Sequence, residues 1–213
     1  MIHAYDKVYL EKARTSLARM LDFAVYDLHY DIKVFFDMFI NSGIAARFEK
    51  GDFRIIAGKS GIELAYDVAE ISGDDKRNIK PRFTANRSEE YWTGWALAYF
   101  QWESGLSFAE IIKYIPIKDI LSLYSPYHEM DIRQFTDKMK ELYKSAKPDT
   151  NLKIIRNKLK LTQKELSELS GVPVRTIQQY EQRQKNINRA QTEYLVMLAK
   201  TLSCKVEDLL EYV

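Results

Sequence analysis

The sequence predicts a predominantly all-α protein in two parts, a larger helical domain over residues 1–147 and a smaller five-helix domain over residues 148–213. Three observations support this. Apolar residues recur at helical spacing along most of the chain. Capping residues and glycines stand where those stripes begin and end. The charge balance also changes at "KSAKPDT", residues 144–150. Residues 1–150 hold 21 Lys/Arg against 23 Asp/Glu, residues 151–213 hold 11 against 7, and residues 151–189 hold 9 against 3. Pro148 stops one helix and Asp149 or Thr150 can cap the next, so the boundary falls there.

In the first part, Leu10, Ala13, Leu17, Met20, Leu21, Ala24 and Leu28 mark one long helix. Ile32, Phe35, Phe36 and Phe39 mark a second, which stops at Asn41-Ser42-Gly43. The stretch from Ile44 to Ala57 fits either a short helix followed by an irregular segment or a small hairpin. Ser60 caps a helix over residues 61–71. "SGDDKRNIKPRFTANR", residues 72–87, is polar, contains proline and has no periodicity, so it reads as a mobile loop with Asp74 and Asp75 solvated. Asn86 or Ser88 then caps a helix that runs to Glu103 and ends at Ser104-Gly105. Ser107 and Glu110 have capping-box spacing. Pro116 breaks that helix, "IKDILSLY" makes another, and Asp131 caps a last one to Ala146.

Hydrophobic residues make up 46% of the 213, enough for a real core in each part. The lone Cys204 excludes an internal disulfide and a cysteine-based zinc site, which suits a reducing cytoplasm. The N-terminal "MIHAYDKVYLEKAR" has scattered charges, unlike a signal peptide. No apolar run approaches the roughly 18 residues of a membrane span. "AGKS", residues 57–60, lacks the upstream glycine of a phosphate loop, since position 53 is Phe. His3, His29 and His128 have no metal-ligand spacing, and no nucleophile–base arrangement stands out. The expectation is therefore no catalytic residue, no metal and no cofactor. Trp92, Trp95, Tyr99 and Trp102 form a helical stripe that reads first as packing. Trp92, Trp95 and Trp102 are also the candidate anchors for a protein partner.

The second part turns on "LTQKELSELSGVPVRTIQQYEQR", residues 161–183. Leu152, Ile155, Leu159 and Leu161 make an apolar face. Thr162 starts a second helix, with Gln163 in its first turn and Leu166 and Leu169 inward. Gly171 permits a tight turn with positive φ, and Pro173 suits the first turn of a third helix. There Ile177 and Tyr180 face one way, leaving Arg175, Thr176, Gln178, Gln179 and Gln182 on the other faces. Asn188 and Gln191 can box a fourth helix that buries Leu195, Leu198, Ala199 and Leu202, and "VEDLL" closes a fifth.

The ordered set L-T-Q-x-E-L-x-x-x-S-G-V, I-x-x-Y-E and L-x-x-L-A-x-x-L resembles the Cro/cI-type (XRE) helix-turn-helix family over residues 151–211. The resemblance implies a five-helix Cro/cI-like domain whose third helix enters the DNA major groove. It makes Val174, Arg175, Gln178 and Gln179 candidates for base edges. Thr162 and Gln163 become candidates for phosphate, and Thr176 for either. It also implies a charged pair between Arg156 and Glu181. Two positions depart from the family pattern. Arg183 stands where the family turns at Gly, so either the third helix runs on or Arg183 takes a left-handed conformation. Lys205 stands where a Ser or Thr cap is usual.

The implied function is a sequence-specific DNA-binding regulator, a repressor acting as a homodimer on a palindromic operator. The two-part layout resembles antitoxins that hold a toxin from a neighbouring gene with one domain and repress their own operon with the other. The alternatives are a ligand-sensing repressor, or an enzyme domain delivered to DNA by a helix-turn-helix module.

Overall fold

The computed structural model describes residues 3–74, 76–82 and 87–211. Residues 10–26, whose apolar positions repeat every three to four residues, form α1 (Leu10–Tyr26), with Ala13, Leu17, Met20, Leu21 and Ala24 fully buried. A capping aspartate, Asp31, accepts the Lys33 and Val34 amides at the start of α2 (Ile32–Asn41). The ambiguous stretch after Gly43 is two short helices, α3 (Ile44–Phe48) and α4 (Phe53–Ile56), with no hairpin. Their apolar faces bury Phe48, Ile55 and Ile56.

A closed capping box, Ser60 with Glu63, opens α5 (Gly61–Ile71). Ser88 caps α6 (Glu89–Ser104), which ends in left-handed Gly105; the other candidate cap, Asn86, lies outside the described residues. Beyond it come α7 (Phe108–Tyr114), α8 (Ile117–Ser122), α9 (Tyr124–Tyr127) and α10 (Ile132–Ala146). The Asp131 carboxylate accepts the Arg133 amide at the start of α10.

Helix α1 is the centre of the N-terminal unit, Met1–Ala146, packed between α5 and α6. Two glycines allow the close approach. A Cβ at Gly61 would lie 2.3 Å from the Ser16 carbonyl oxygen and 2.7 Å from the Met20 nitrogen. One at Gly94 would lie 2.7 Å from the Leu17 carbonyl oxygen and 2.8 Å from the Ala18 Cα. These are backbone atoms of α1 and cannot rotate away. Gly94→Ala is therefore expected to destabilise the unit by up to about 2 kcal/mol, overpacking of about 1–3 kcal/mol less about 1 kcal/mol of helix propensity. Thermal unfolding checks this, and a melting point at or above wild type would show that the helices can part freely. Within the same core, Phe36, Phe39, Phe48 and Phe108 pack with ring centroids 5.6–6.2 Å apart.

One expectation for this unit needs correction, and another is narrowed. The described residues of the 72–87 loop are strapped to the helices. Tyr30 donates to Asp74 at 2.5 Å, so Asp74 is not merely solvated. Tyr66 donates to the Ile79 carbonyl, and buried Asp27 accepts the Arg82 amide at 2.9 Å. Asp75 and residues 83–86 lie outside the described residues. The tryptophans are committed to internal packing. Trp102 is buried, stacks on His3 at 3.8 Å and donates its Nε1–H to the Tyr5 carbonyl at 2.8 Å. Trp95 lies under the Arg14 guanidinium at 3.3 Å, and Trp92 packs edge-on against Tyr124 and Phe135. Trp102 thus offers no face to a partner, and Trp92 and Trp95 are half-buried.

The C-terminal unit, Lys147–Val213, holds α11 (Asn151–Lys158), α12 (Gln163–Ser170), α13 (Val174–Glu181), α14 (Thr192–Thr201) and α15 (Val206–Leu209). The two units have separate cores. The second is built on Leu152, Leu166, Val172, Ile177, Tyr180, Leu195, Leu198, Ala199, Leu202 and Leu209. Leu159 and Leu169 do not join it, being 47% and 64% exposed. Asn188 does not box α14 either; it sits in a 3₁₀ turn, Ile187–Arg189, and Gln191 precedes α14 without a side-chain cap. Among the described residues there is no β-strand, and no helix is long and apolar enough to cross a membrane.

Candidate nucleic-acid interface

Thr150 caps α11 by accepting the Lys153 amide. At α12 the Thr162 hydroxyl accepts the Glu165 amide at 3.1 Å, and the Glu165 carboxylate accepts the Thr162 amide at 2.7 Å. Those hydrogen bonds hold the Glu165 carboxyl below its usual range. The amides of Gln163 and Lys164, the first two of the helix, have no acceptor within it, as the geometry of a helix start requires. Gly171, at φ +73°, ends α12 and donates to the Ser167 carbonyl. The Ser167 hydroxyl donates to the Val172 carbonyl at 2.7 Å and the Ser170 hydroxyl accepts the Val172 amide at 3.2 Å, so the turn is braced from both sides.

Pro173 then starts α13. Ile177 and Tyr180 point into the core. Arg175, Gln178 and Gln182 are exposed, Val174 is 37% exposed, and Thr176 and Gln179 are half-buried. The structure thus brings Val174, Arg175, Thr176, Gln178 and Gln179 together on one eight-residue helix. Arg175, Lys158, Lys160, Lys185 and Arg189 are exposed, and among the described residues none has a carboxylate within ion-pair distance.

What holds α13 in place is a buried ion pair. Arg156 of α11 donates Nε to Glu181 Oε1 at 2.6 Å and Nη2 to Oε2 at 2.9 Å, and its Nη1 reaches the Leu161 carbonyl at 2.6 Å. The Glu181 carboxylate raises the Arg156 pKa further. Gln163 belongs to the same network, its Nε2 donating to Glu181 Oε2 at 2.7 Å. One N–H of that amide is therefore committed inward. Gln163→Ala is expected to cost about 1 kcal/mol of stability and to weaken binding to every duplex evenly. Denaturant midpoints and a titration with unrelated duplexes check the two halves.

A family model described as helix-turn-helix matches residues 152–209, which covers α11 to α15. The C-terminal unit is a Cro/cI-type helix-turn-helix domain. Its presence makes the chain a DNA-binding transcription regulator. The match to this helix-turn-helix model leaves α1 to α10 outside it, and no curated protein and no solved structure matches the chain.

Within the helix-turn-helix domain, three residues outside α13 are not singled out by sequence as a group. Arg183, Asn188 and Glu211 are joined by hydrogen bonds. The signal available was a single departure, Arg183 where the family turns at Gly. Of the two outcomes left open there, the structure takes the left-handed one, φ +54°. At the second departure the Asp208 carboxylate accepts the Lys205 amide at 2.9 Å, the half of a capping box that Glu165 makes with the Thr162 amide, and lysine brings no hydroxyl for the other half.

Proposed function

We propose that the protein is a repressor that acts by binding alone, seating α13 in the major groove of an operator. The observation that carries this is the outward face of α13, a row of long donors and acceptors on a helix fixed from behind by Arg156 and Glu181. Arg175 matches the paired O6 and N7 acceptors of guanine, and Gln178 and Gln179 match the N7 acceptor and N6 donor of adenine. Thr162 and Gln163, at the start of α12, sit where backbone amides and a side-chain amide can hold a phosphate. Two copies on a two-fold operator would bind half-sites about one helical turn apart, roughly 34–36 Å. Selection from random duplexes with the full-length protein tests the reading in the cytoplasmic range of salt and pH. A palindrome with one-turn spacing is expected; recovery of no preferred sequence would overturn it.

The N-terminal unit supports a second, narrower reading. It has its own core and lies outside the helix-turn-helix match, so its task is separate from reading DNA. The proposed task is to hold a protein partner, and in the antitoxin form of the proposal that partner is a toxin from a neighbouring gene. Fragments 1–146 and 147–213 are each expected to fold alone, because each carries a separate core. Fragment 1–146 should then neutralise the neighbouring gene product on co-expression and leave the operator unbound. Rescue by fragment 147–213 only, or by neither fragment nor the full chain, would remove the antitoxin reading and leave the repressor.

A further inference from the structure

Arg183 follows the reading helix and has left-handed backbone, φ +54°, where a side chain is disfavoured. Its arm reaches back across the domain. Nε donates to Glu211 Oε2 at 2.9 Å, Nη2 lies 2.8 Å from the same oxygen, and Nη1 donates to the Pro148 carbonyl at 2.9 Å. Glu211 uses its other oxygen to accept the Asn151 amide, the first of α11, at 2.9 Å. Asn188 brackets the main chain of Glu211, accepting its amide at 2.8 Å and donating to its carbonyl at 2.6 Å. The Asn151 side chain donates to the Leu210 carbonyl at 2.6 Å. One residue near the end of the chain thus ties the start of α11, the exit of α13 and the connector before α14.

We infer that the Arg183–Glu211 clamp is a positioning device for DNA recognition, holding the exit of α13 so that the helix presents its reading face at one fixed angle. The inference rests on the DNA-reading role proposed above. Base-edge hydrogen bonds tolerate only about half an ångström of misplacement. The start of α13 is fixed by the braced turn at Gly171 and its middle by Arg156 and Glu181. Its exit has the clamp. A glycine at position 183 would relieve the left-handed backbone but supply no arm, so the arginine trades local ease for a long-range tie. Neither Arg183 nor Glu211 lies on α13 itself, so their effect on base recognition runs through its position.

The test uses the full-length protein, the selected operator and an unrelated duplex of the same length. The variants are Arg183→Gly, which suits the backbone but removes the arm, and Glu211→Gln, which keeps an acceptor for Asn151 but loses the charge facing Arg183. Each is expected to weaken operator binding about tenfold, the size of one bidentate base contact pulled off its geometry. Binding to the unrelated duplex and the salt dependence of operator binding should stay as in wild type, and the double variant should be no weaker than either single one. Direct phosphate contact by Arg183 gives a different pattern. Arg183→Gly would then flatten the salt slope by about 0.9, and Glu211→Gln, by freeing the arginine, would hold or raise affinity. That pattern overturns the inference, as do wild-type operator affinity in both variants or an equal loss on both duplexes, which marks a folding defect. A wild-type protein that selects no operator overturns the DNA-reading proposal and the clamp's role with it.

Discussion

Arg156→Ala is expected to destabilise the C-terminal unit by about 3–5 kcal/mol, the cost of stranding one buried charge. The geometry gives the reason. Both oxygens of Glu181 are occupied by Arg156, and both residues are 8% exposed. Truncation leaves the carboxylate with Gln163 as its remaining side-chain donor among the described residues and also strips the Arg156 bond from the Leu161 carbonyl, in the connector between α11 and α12. A domain of ordinary stability has only about 5–15 kcal/mol to lose, so this substitution removes a large share of it. With a urea slope of about 1–3 kcal/mol/M the midpoint should fall by more than about 1 M. Lys158 lies two residues on, exposed and without an acidic partner among the described residues, and Lys158→Ala should change stability by less than about 0.5 kcal/mol. Equal midpoints for the two variants would mean that the pair contributes nothing. Replacing Arg156 and Glu181 together by apolar residues of similar volume should restore most of the loss, because no charge is then left alone.

Arg175→Ala should cost about 1–3 kcal/mol of discrimination at one base pair, the value of a good bidentate contact. Arg175 is exposed, lies in the first turn of α13 and has no carboxylate within ion-pair distance among the described residues, so its guanidinium is free for a ligand. Removing it should leave the fold unchanged, since its side chain contributes nothing to the core. The loss should be concentrated at a single position per half-site, and the preference elsewhere in the operator should persist. This differs from Gln163→Ala, whose effect spreads evenly over all duplexes. Titration against a set of single-base operator variants separates the two. An unchanged preference at every position would take Arg175 off the reading face.

Much of the helical plan is legible in the sequence because it is written locally. Ser60 with Glu63, Ser88, Thr150 and Thr162 with Glu165 are caps whose partners lie three residues on, and each forms as spaced. The inward and outward sides of α13 are legible for the same reason, since Ile177 and Tyr180 fix which side faces the core. What escapes is non-local. The Asp27–Arg82 and Tyr30–Asp74 straps join residues far apart in the chain, and nothing in the loop's own composition announces them. The clamp escapes likewise, because its acceptor for Arg183 lies at the far end of the domain. Leu159 and Leu169 show a different limit. Periodicity places an apolar residue on a helix face but does not say how far the core extends along it, and exposed leucines are ordinary. Asn188 shows a third. Its spacing to Gln191 suits a cap, yet the main chain of Glu211 competes for both ends of its amide and wins.

The glycines against α1 bear on ancestry. Large side chains in a core can trade places with others of similar volume as lineages diverge, so the phenylalanine cluster leaves a blurred record. Gly61 and Gly94 cannot drift in that way, because what each would strike is the main chain of α1. Distant descendants of the same N-terminal unit should therefore keep two invariant glycines, one opening the helix on one side of α1 and one inside the helix on the other, amid apolar positions free to vary. That sparse pair is a fingerprint for kinship where overall identity has faded.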